Sequence, residues 1–254
     1  MRIVVIGGTG RIGAQVVTGL VEHGHRAVAA APSTGVDAFT GEGLRTALTG
    51  ADVVVDVSNS PTFDDAAAQE FFRVSTANLL AAEAEAGASH HVALSVVGTD
   101  ALARQSGYFQ AKLLQENLIG AGPVPFTIVR ATQFFEFLAT IADSATLNGV
   151  VRLPDVLIQP MATADVAEAV AVAAVSPPVN GIVEVGGPAQ YRLPELIRTA
   201  LTAHGDTREV LGDPNARYWG VDIDERTLVP GDAAPDFDVR FEDWLLASAA
   251  ENRR

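Results

Sequence analysis

Apolar positions follow two alternating rhythms along the first half of the chain. Arg2–Ile6, Arg26–Ala30, Asp52–Val57, His91–Val96 and Phe126–Arg130 are short, nearly continuous apolar runs bounded by Gly, Pro, Ser or Asp. Such runs predict strands covered on both faces. Between them the apolar residues recur at the helical period. Ile12, Val16 and Leu20 mark a helix that stops at Gly24, with His23 in the last turn, where the partial negative charge of a helix end favours it. A longer helix runs from a cap at Asp64 to Gly87 and presents Phe71, Val74, Asn78 and Leu79 on adjoining faces; another spans about Ser106 to Ile119 and ends at Gly120. Strand and helix alternating in this way predict an α/β fold with a doubly wound parallel sheet and right-handed crossovers.

Past Arg130 the rhythm changes. Phe134–Leu147, Ala164–Val175 and Pro194–Ala203 read as helices, Gly181–Val185 as a strand and Phe241–Ala250 as a docking helix, while Gly205–Phe237, crowded with Asp, Gly and Pro, reads as mainly loop. The 254 residues fit one domain, with 1–133 mainly its core and 134–254 mainly a smaller, C-terminal substrate-binding lobe.

Composition narrows the function classes. A chain that is 48% hydrophobic and 19% charged buries a sizeable core and is not disordered as a whole. Its formal net charge of -14 repels phosphate backbones and anionic membranes, so neither nucleic acid nor membrane is expected as a partner. Without cysteine there is no disulfide framework and no thiolate zinc site. Met1-Arg2 leads straight into Ile3–Ile6, which Gly7-Gly8 breaks too soon for a signal or membrane segment, and a soluble, cytoplasmic protein is expected. The oligomeric state is left open. His90 and His91 point to opposite faces of a strand, and no metal is expected.

The turn after the first strand carries Gly7-Gly8-Thr9-Gly10-Arg11-Ile12-Gly13 and opens the first helix. Glycines there permit a tight turn, close approach of a pyrophosphate and close helix–sheet packing, and the helix N-terminus offers free N–H groups; the context is that of a Rossmann-like dinucleotide site. An NAD site usually has an acid at the end of the second strand to bind the ribose 2′-hydroxyl. Here Ala29-Ala30-Ala31-Pro32-Ser33-Thr34 has no acid before Asp37, while Arg11, Ser33 and Thr34 can donate to a 2′-phosphate, so NADP (NADPH) is expected rather than NAD.

The basic residues are sixteen arginines and one lysine, Lys112. Tyr108 lies four residues before it, on the same face of a helix. A neighbouring fixed positive charge lowers a phenol's pKa, and the lysine can also hydrogen-bond ribose hydroxyls, which makes Tyr108 a candidate proton carrier. Ser95 ends a strand at the carboxyl edge of the sheet, where a hydroxyl can orient a substrate carbonyl. Tyr108, Lys112 and Ser95 are therefore the candidate catalytic residues. Gln133, Phe134 and Phe135 are candidate pocket residues, with Phe137 beside them; for the aromatic residues the alternative is the core. Thr163 or Asp165 reads as an N-cap. Tyr218 and Trp219 are candidates for a lid, or for anchors of their loop.

This pattern resembles the short-chain dehydrogenase/reductase superfamily, and within it the atypical NmrA-like branch. The matching residues are Gly7–Gly13, the strand Asp52–Asn59, the edge Ser95–Gly98, Tyr108 with Lys112, and Arg130-Ala131-Thr132-Gln133-Phe134-Phe135. The resemblance implies a Rossmann fold, a nicotinamide cofactor and hydride transfer with tyrosine as proton donor. It places Ser58 and Asn59 beside the pyrophosphate and nicotinamide ribose, and the backbone near Thr132 beside the carboxamide. Gly41-Glu42-Gly43 resembles a Gly-Asp element that contacts adenine, with glutamate in place of aspartate. The link from Thr34 to Leu44 is very short for a full third strand.

These readings converge on an NADPH-dependent oxidoreductase that reduces a carbonyl, quinone or enone on a small apolar molecule. An NADP-binding sensor without chemistry is the alternative from another class. A nucleotide-sugar epimerase or dehydratase ranks below both, because it usually has a larger second lobe to grip a diphosphate, for which Arg152, Arg192 and Arg198 offer the obvious charge in an acidic chain.

Overall fold

The computed structural model describes residues 1–235 and 237–251, the side chains at 249–251 excepted. It divides into two compact units that interleave along the chain. The first comprises Met1–Ser95, Gly107–Arg130 and Val166–Val183; the second comprises Val96–Ser106, Ala131–Asp165 and the chain from Glu184.

The first unit is built on strands β1 (Arg2–Ile6), β2 (Arg26–Ala30), β3 (Val53–Asp56), β4 (His90–Val96), β5 (Phe126–Ala131) and β9 (Gly181–Val185), whose order in the sheet is β2-β1-β3-β4-β5-β9. β1 pairs in parallel with β2 and with β3, and β3 in parallel with β4. Ile3, Val4, Val5 and Ile6 are all buried, as are Val53, Val54 and Val55, which fits strands covered on both faces. Among the described residues no strand lies outside β2; a 3-10 turn over Pro32–Thr34 and the short helix α2 (Leu44–Leu48) follow it instead. Nine residues between Thr34 and Leu44 leave no room for a third strand and its crossover.

Helices α1 (Arg11–Glu22), α3 (Asp65–Ala86) and α5 (Gly107–Gly120) supply most of the helical cover. In α1, Gly13, Val16 and Leu20 are buried at the spacing that the apolar pattern predicts. Asp64 caps α3 by accepting from the Ala67 amide at 3.0 Å, and Gly87 ends it in the left-handed conformation. α3 packs on α5 through Ala68, Phe72 and Ala111, the two small alanines letting the Phe72 ring lie between the helices.

The second unit contains α4 (Thr99–Leu102), α6 (Leu138–Ser144), β6 (Thr146–Leu147), β7 (Val150–Leu153), β8 (Leu157–Ile158), β10 (Tyr191–Arg192), α8 (Leu193–Ala203), β11 (Glu209–Gly212) and α9 (Phe241–Glu251). Helix α7 (Thr163–Val175) begins there and continues into the first unit, which explains why Val166–Val183 belongs with the main sheet: β9 adds a strand to its edge.

Several expected elements differ from the structure. The Phe134–Leu147 helix is a 3-10 turn at Phe135–Phe137, the short α6, and strand β6. Asn148 and Gly149, both at positive φ (52° and 80°), turn β6 back onto β7, so a two-residue hairpin ends the helical pattern. The loop expected over Gly205–Phe237 contains β11, which pairs in parallel with β7. At the start of α7 the Thr163 amide and hydroxyl both donate to Glu136, whose carboxylate also accepts from Trp244 Nε1 at 3.2 Å. Asp165 accepts from the Val239 amide. Among the described residues no helix is long and apolar enough to cross a membrane.

Replacing Asp64 with alanine removes the cap of the longest helix. Urea unfolding of Asp64→Ala is expected to show a loss of about 1 kcal/mol with an unchanged slope.

Candidate functional site

β1 lies between β2 and β3, so successive strands leave it on opposite sides, and open α/β sheets bind ligands beyond the carboxyl ends of the strands at such a switch point. The glycine turn sits at that point. Gly7 has a positive φ of 76°, and a β-carbon there would lie 2.9 Å from the Ser58 amide nitrogen. At Gly8 it would stand 2.6 Å from the Val5 carbonyl and 2.7 Å from Ala29 Cα, and at Gly13 2.2 Å from the Gly7 carbonyl. The turn thus brings three segments of backbone closer than any side chain permits. Gly10 is the N-cap of α1 and offers no side chain to the first-turn amides. Thr9, Gly10 and Arg11 are exposed and Ile12 is half-buried. These features fit the pyrophosphate of a dinucleotide.

The end of β2 is linked to this turn by a contact of 3.2 Å between the Thr9 and Ser33 hydroxyls. Thr34 is differently engaged: its hydroxyl accepts from the Ala31 amide and donates to the Ala31 carbonyl, so it closes the turn rather than offering a free donor. Asp37, the first acid after β2, accepts from the Phe39 and Thr40 amides and is likewise committed to its own turn. Arg11 and Ser33 remain exposed as donors.

Tyr108 is half-buried near the start of α5, and its hydroxyl donates to Asn59 Oδ1 at 2.9 Å. Asn59 adjoins Ser58, which packs on Gly7, so a short chain of contacts joins the phenol to the glycine turn. The rings of Phe63, Phe72 and Phe109 surround the phenol with centroids 5.2, 6.1 and 5.4 Å away. Burial pushes the phenol up to about 12, with the Asn59 bond opposing the shift. This corrects the expectation that Lys112 lowers it.

The reason lies in where Lys112 points. Its Nζ donates to the Leu94 carbonyl at 2.9 Å and to Gln115 Oε1 at 2.5 Å, and stands 4.7 Å from the centroid of the Phe72 ring. Burial lowers its pKa to about 8, against the pull of Asp56 and Glu116, which favour the charged form. The ammonium is spent on the floor of the site rather than on the phenol.

Ser95 is also turned inward. It is buried, and its hydroxyl donates to Glu116 Oε1 at 2.5 Å. Arg130 closes on the same carboxylate through Nε at 3.0 Å and Nη2 at 2.5 Å. Ser95, Glu116 and Arg130 thus form a buried cluster in which the serine proton is committed, so Ser95 does not present a donor at the sheet edge as expected.

In the second unit, Thr132 and Gln133 are buried at the end of β5 and just beyond it. The Thr132 amide donates to the Val185 carbonyl, and the Gln133 carbonyl accepts from Met161. Their side-chain atoms Thr132 Oγ1 and Gln133 Oε1 have no hydrogen-bond partner among the described residues. Phe134 is half-buried and meets Phe137 edge-on, whereas Phe135 is fully buried between Phe241 and Trp244 and belongs to the core. Tyr218 is buried and anchors a tight turn, with Trp219 at its tip in the left-handed region at φ 50°.

Residues not anticipated from the sequence are Asp56, Gln115 and Glu116. Asp56 accepts from the Ser58 amide and hydroxyl and from Gln115 Nε2. The available signal was periodicity: Tyr108, Lys112, Gln115 and Glu116 share one face of α5, the face turned to the sheet.

The pH dependence of stability follows from Lys112. Its folded pKa is depressed, so between about 8 and the ordinary lysine value the unfolded chain holds more protons, and stability rises with pH across that window. Relative to Lys112→Met, the native chain is expected to gain on the order of 2 kcal/mol from pH 8 to pH 10.5, measured by urea unfolding at each pH.

No family profile and no curated protein matches the sequence. Solved structures do match. A short-chain dehydrogenase/reductase superfamily protein from Agrobacterium tumefaciens with bound NAD superposes with a TM-score of 0.73 at 19% identity, over 100% of this chain and 97% of that one. UDP-glucose 4-epimerase from Thermotoga maritima with UDP-glucose gives 0.75 at 16% identity, over 100% and 99%. dTDP-4-dehydrorhamnose reductase from Bacillus anthracis in complex with NADP gives 0.73 at 13% identity, over 97% and 99%. At these identities the likeness is one of fold: the chain has the Rossmann-like α/β fold of the short-chain dehydrogenase/reductase superfamily.

Proposed function

We propose that the chain is an NADPH-dependent reductase of the NmrA-like branch, acting in the cytoplasm on a carbonyl, quinone or enone of a small, largely apolar molecule. The observation that carries this reading is the Tyr108 hydroxyl, hydrogen-bonded to Asn59 beside the glycine turn. A bound nicotinamide supplies the hydride. Gly7, Thr9, Gly10, Arg11, Ile12 and Gly13 hold the pyrophosphate, and Arg11 with Ser33 receives the 2′-phosphate. Ser58 and Asn59 lie along the nicotinamide ribose, the Thr132 backbone meets the carboxamide, and Gln133 and Phe134 face the substrate.

Tyr108 gives its proton to the substrate oxygen as that oxygen gains charge. A phenol held near 12 keeps its proton at neutral pH, which suits the reducing direction. Asn59 orients the hydroxyl, and the three phenylalanine rings hold the phenol ring in place. Lys112 works from beneath by fixing α5 to β4. Ser95, whose proton is committed to Glu116, supports α5 from β4.

A binding-only sensor is the second reading. It is favoured by one observation: the donors of Lys112 and Ser95 are already satisfied inside the fold.

Consumption of NADPH with phenanthrenequinone and a panel of aldehydes tests the two. Tyr108→Phe is expected to lower turnover by about 10²- to 10⁴-fold with dinucleotide affinity unchanged; tight NADP binding with no turnover on any of them supports the sensor instead. Arg11→Ala is expected to weaken NADP binding about tenfold and leave NAD binding unchanged, as measured by calorimetric titration.

A further inference from the structure

Gln115 is 1% exposed and lies between two opposite charges. Its Nε2 donates to Asp56 Oδ2 at 3.0 Å and its Oε1 accepts from Lys112 Nζ at 2.5 Å. Only one orientation of the amide is permitted, because the flipped form sets a carbonyl against a carboxylate and an NH₂ against an ammonium. The other oxygen of Asp56 is taken by the Ser58 amide at 2.9 Å and the Ser58 hydroxyl at 2.6 Å. An unbroken line of hydrogen bonds therefore runs from Ser58, in the loop that holds Asn59, through Asp56 and Gln115 to Lys112 and the Leu94 carbonyl of β4.

We propose that Gln115 is a positioning residue that relays Lys112 to Asp56 and thereby sets the place and charge state of the chain's single lysine. Each neighbouring element contributes to the balance. β3 supplies Asp56, β4 the Leu94 carbonyl and α3 the Phe72 ring. α5 itself adds Glu116, which β5 neutralises through Arg130. Behind Asp56, Glu83 of α3 is bonded to His91 of β4 at 2.8 Å. With Glu116 answered by Arg130, Asp56 is the acid left to balance the ammonium, and the Gln115 amide is what joins the two. A leucine or methionine of similar size fills the same space and breaks the line at both ends.

Because there is one lysine, its labelled side chain gives a single resonance, and its titration is read without assignment. In the full-length chain, Gln115→Met is expected to lower the Lys112 midpoint by about one pH unit, through loss of a charge-assisted hydrogen bond. Gln115→Glu keeps the acceptor and is expected to leave the midpoint at or above the native one. If Gln115→Met does not fold, Gln115→Asn, whose amide is too short to span the gap, carries the same downward expectation. Equal movement in Gln115→Met and Gln115→Glu, or none in either, overturns the relay and leaves a packing role. The readout needs no substrate, so the inference stands or falls separately from the reductase reading.

Discussion

An ammonium withdrawn from water has to replace its hydration shell, and at Lys112 the replacement is complete. The Leu94 carbonyl, the Gln115 amide and the face of Phe72 take up its donors, while Asp56 and Glu116 lie close enough to favour its charge. Arg130 offsets Glu116, so the buried group of two cations and two anions is neutral as a set. Such a set is costly to open: removing one partner of a buried pair leaves an uncompensated charge and typically costs about 3–5 kcal/mol. It therefore fixes α5 against β3, β4 and β5, and with α5 it fixes the phenol of Tyr108. Even the lowered pKa of the lysine is a consequence, since burial outweighs the pull of its acidic neighbours.

A second constraint acts at the turn that follows β1. Gly7, Gly8 and Gly13 draw the backbone of the first turn onto Ser58, Ala29 and itself at distances that exclude any β-carbon. Ser58 belongs to both constraints, touching Gly7 through its backbone and bonding Asp56 through its amide and hydroxyl. The phenol of Tyr108 and the glycine turn are thus joined through Asn59 and Ser58, neighbouring residues of one loop.

The second unit relies on a different junction. Glu136 accepts from the amide and hydroxyl of Thr163 and from the indole of Trp244, tying the start of α7 and the helix α9 to the segment after β5. Phe135, Phe241 and Trp244 pack on one another, which is why a phenylalanine that reads as a pocket residue is core.

Local periodicity was enough to place the strands of the main sheet, the capped helix from Asp64 to Gly87 and the glycine turn, because each is encoded by neighbours within a few residues. The short link after Thr34 likewise foretold a sheet with no strand beyond β2. What local pattern leaves undecided is direction and partnership. Tyr108 and Lys112 share a helix face by spacing alone, yet whether the ammonium turns to the phenol or beneath it depends on Asp56, Leu94 and Phe72, which come from three other elements. Ser95 ends its strand as its position suggests, but Glu116, twenty-one residues on, takes its proton. Hydrogen bonds and buried charges are satisfied across the fold, and a buried group must find its partner wherever packing brings one, so only the assembled chain assigns these side chains their roles.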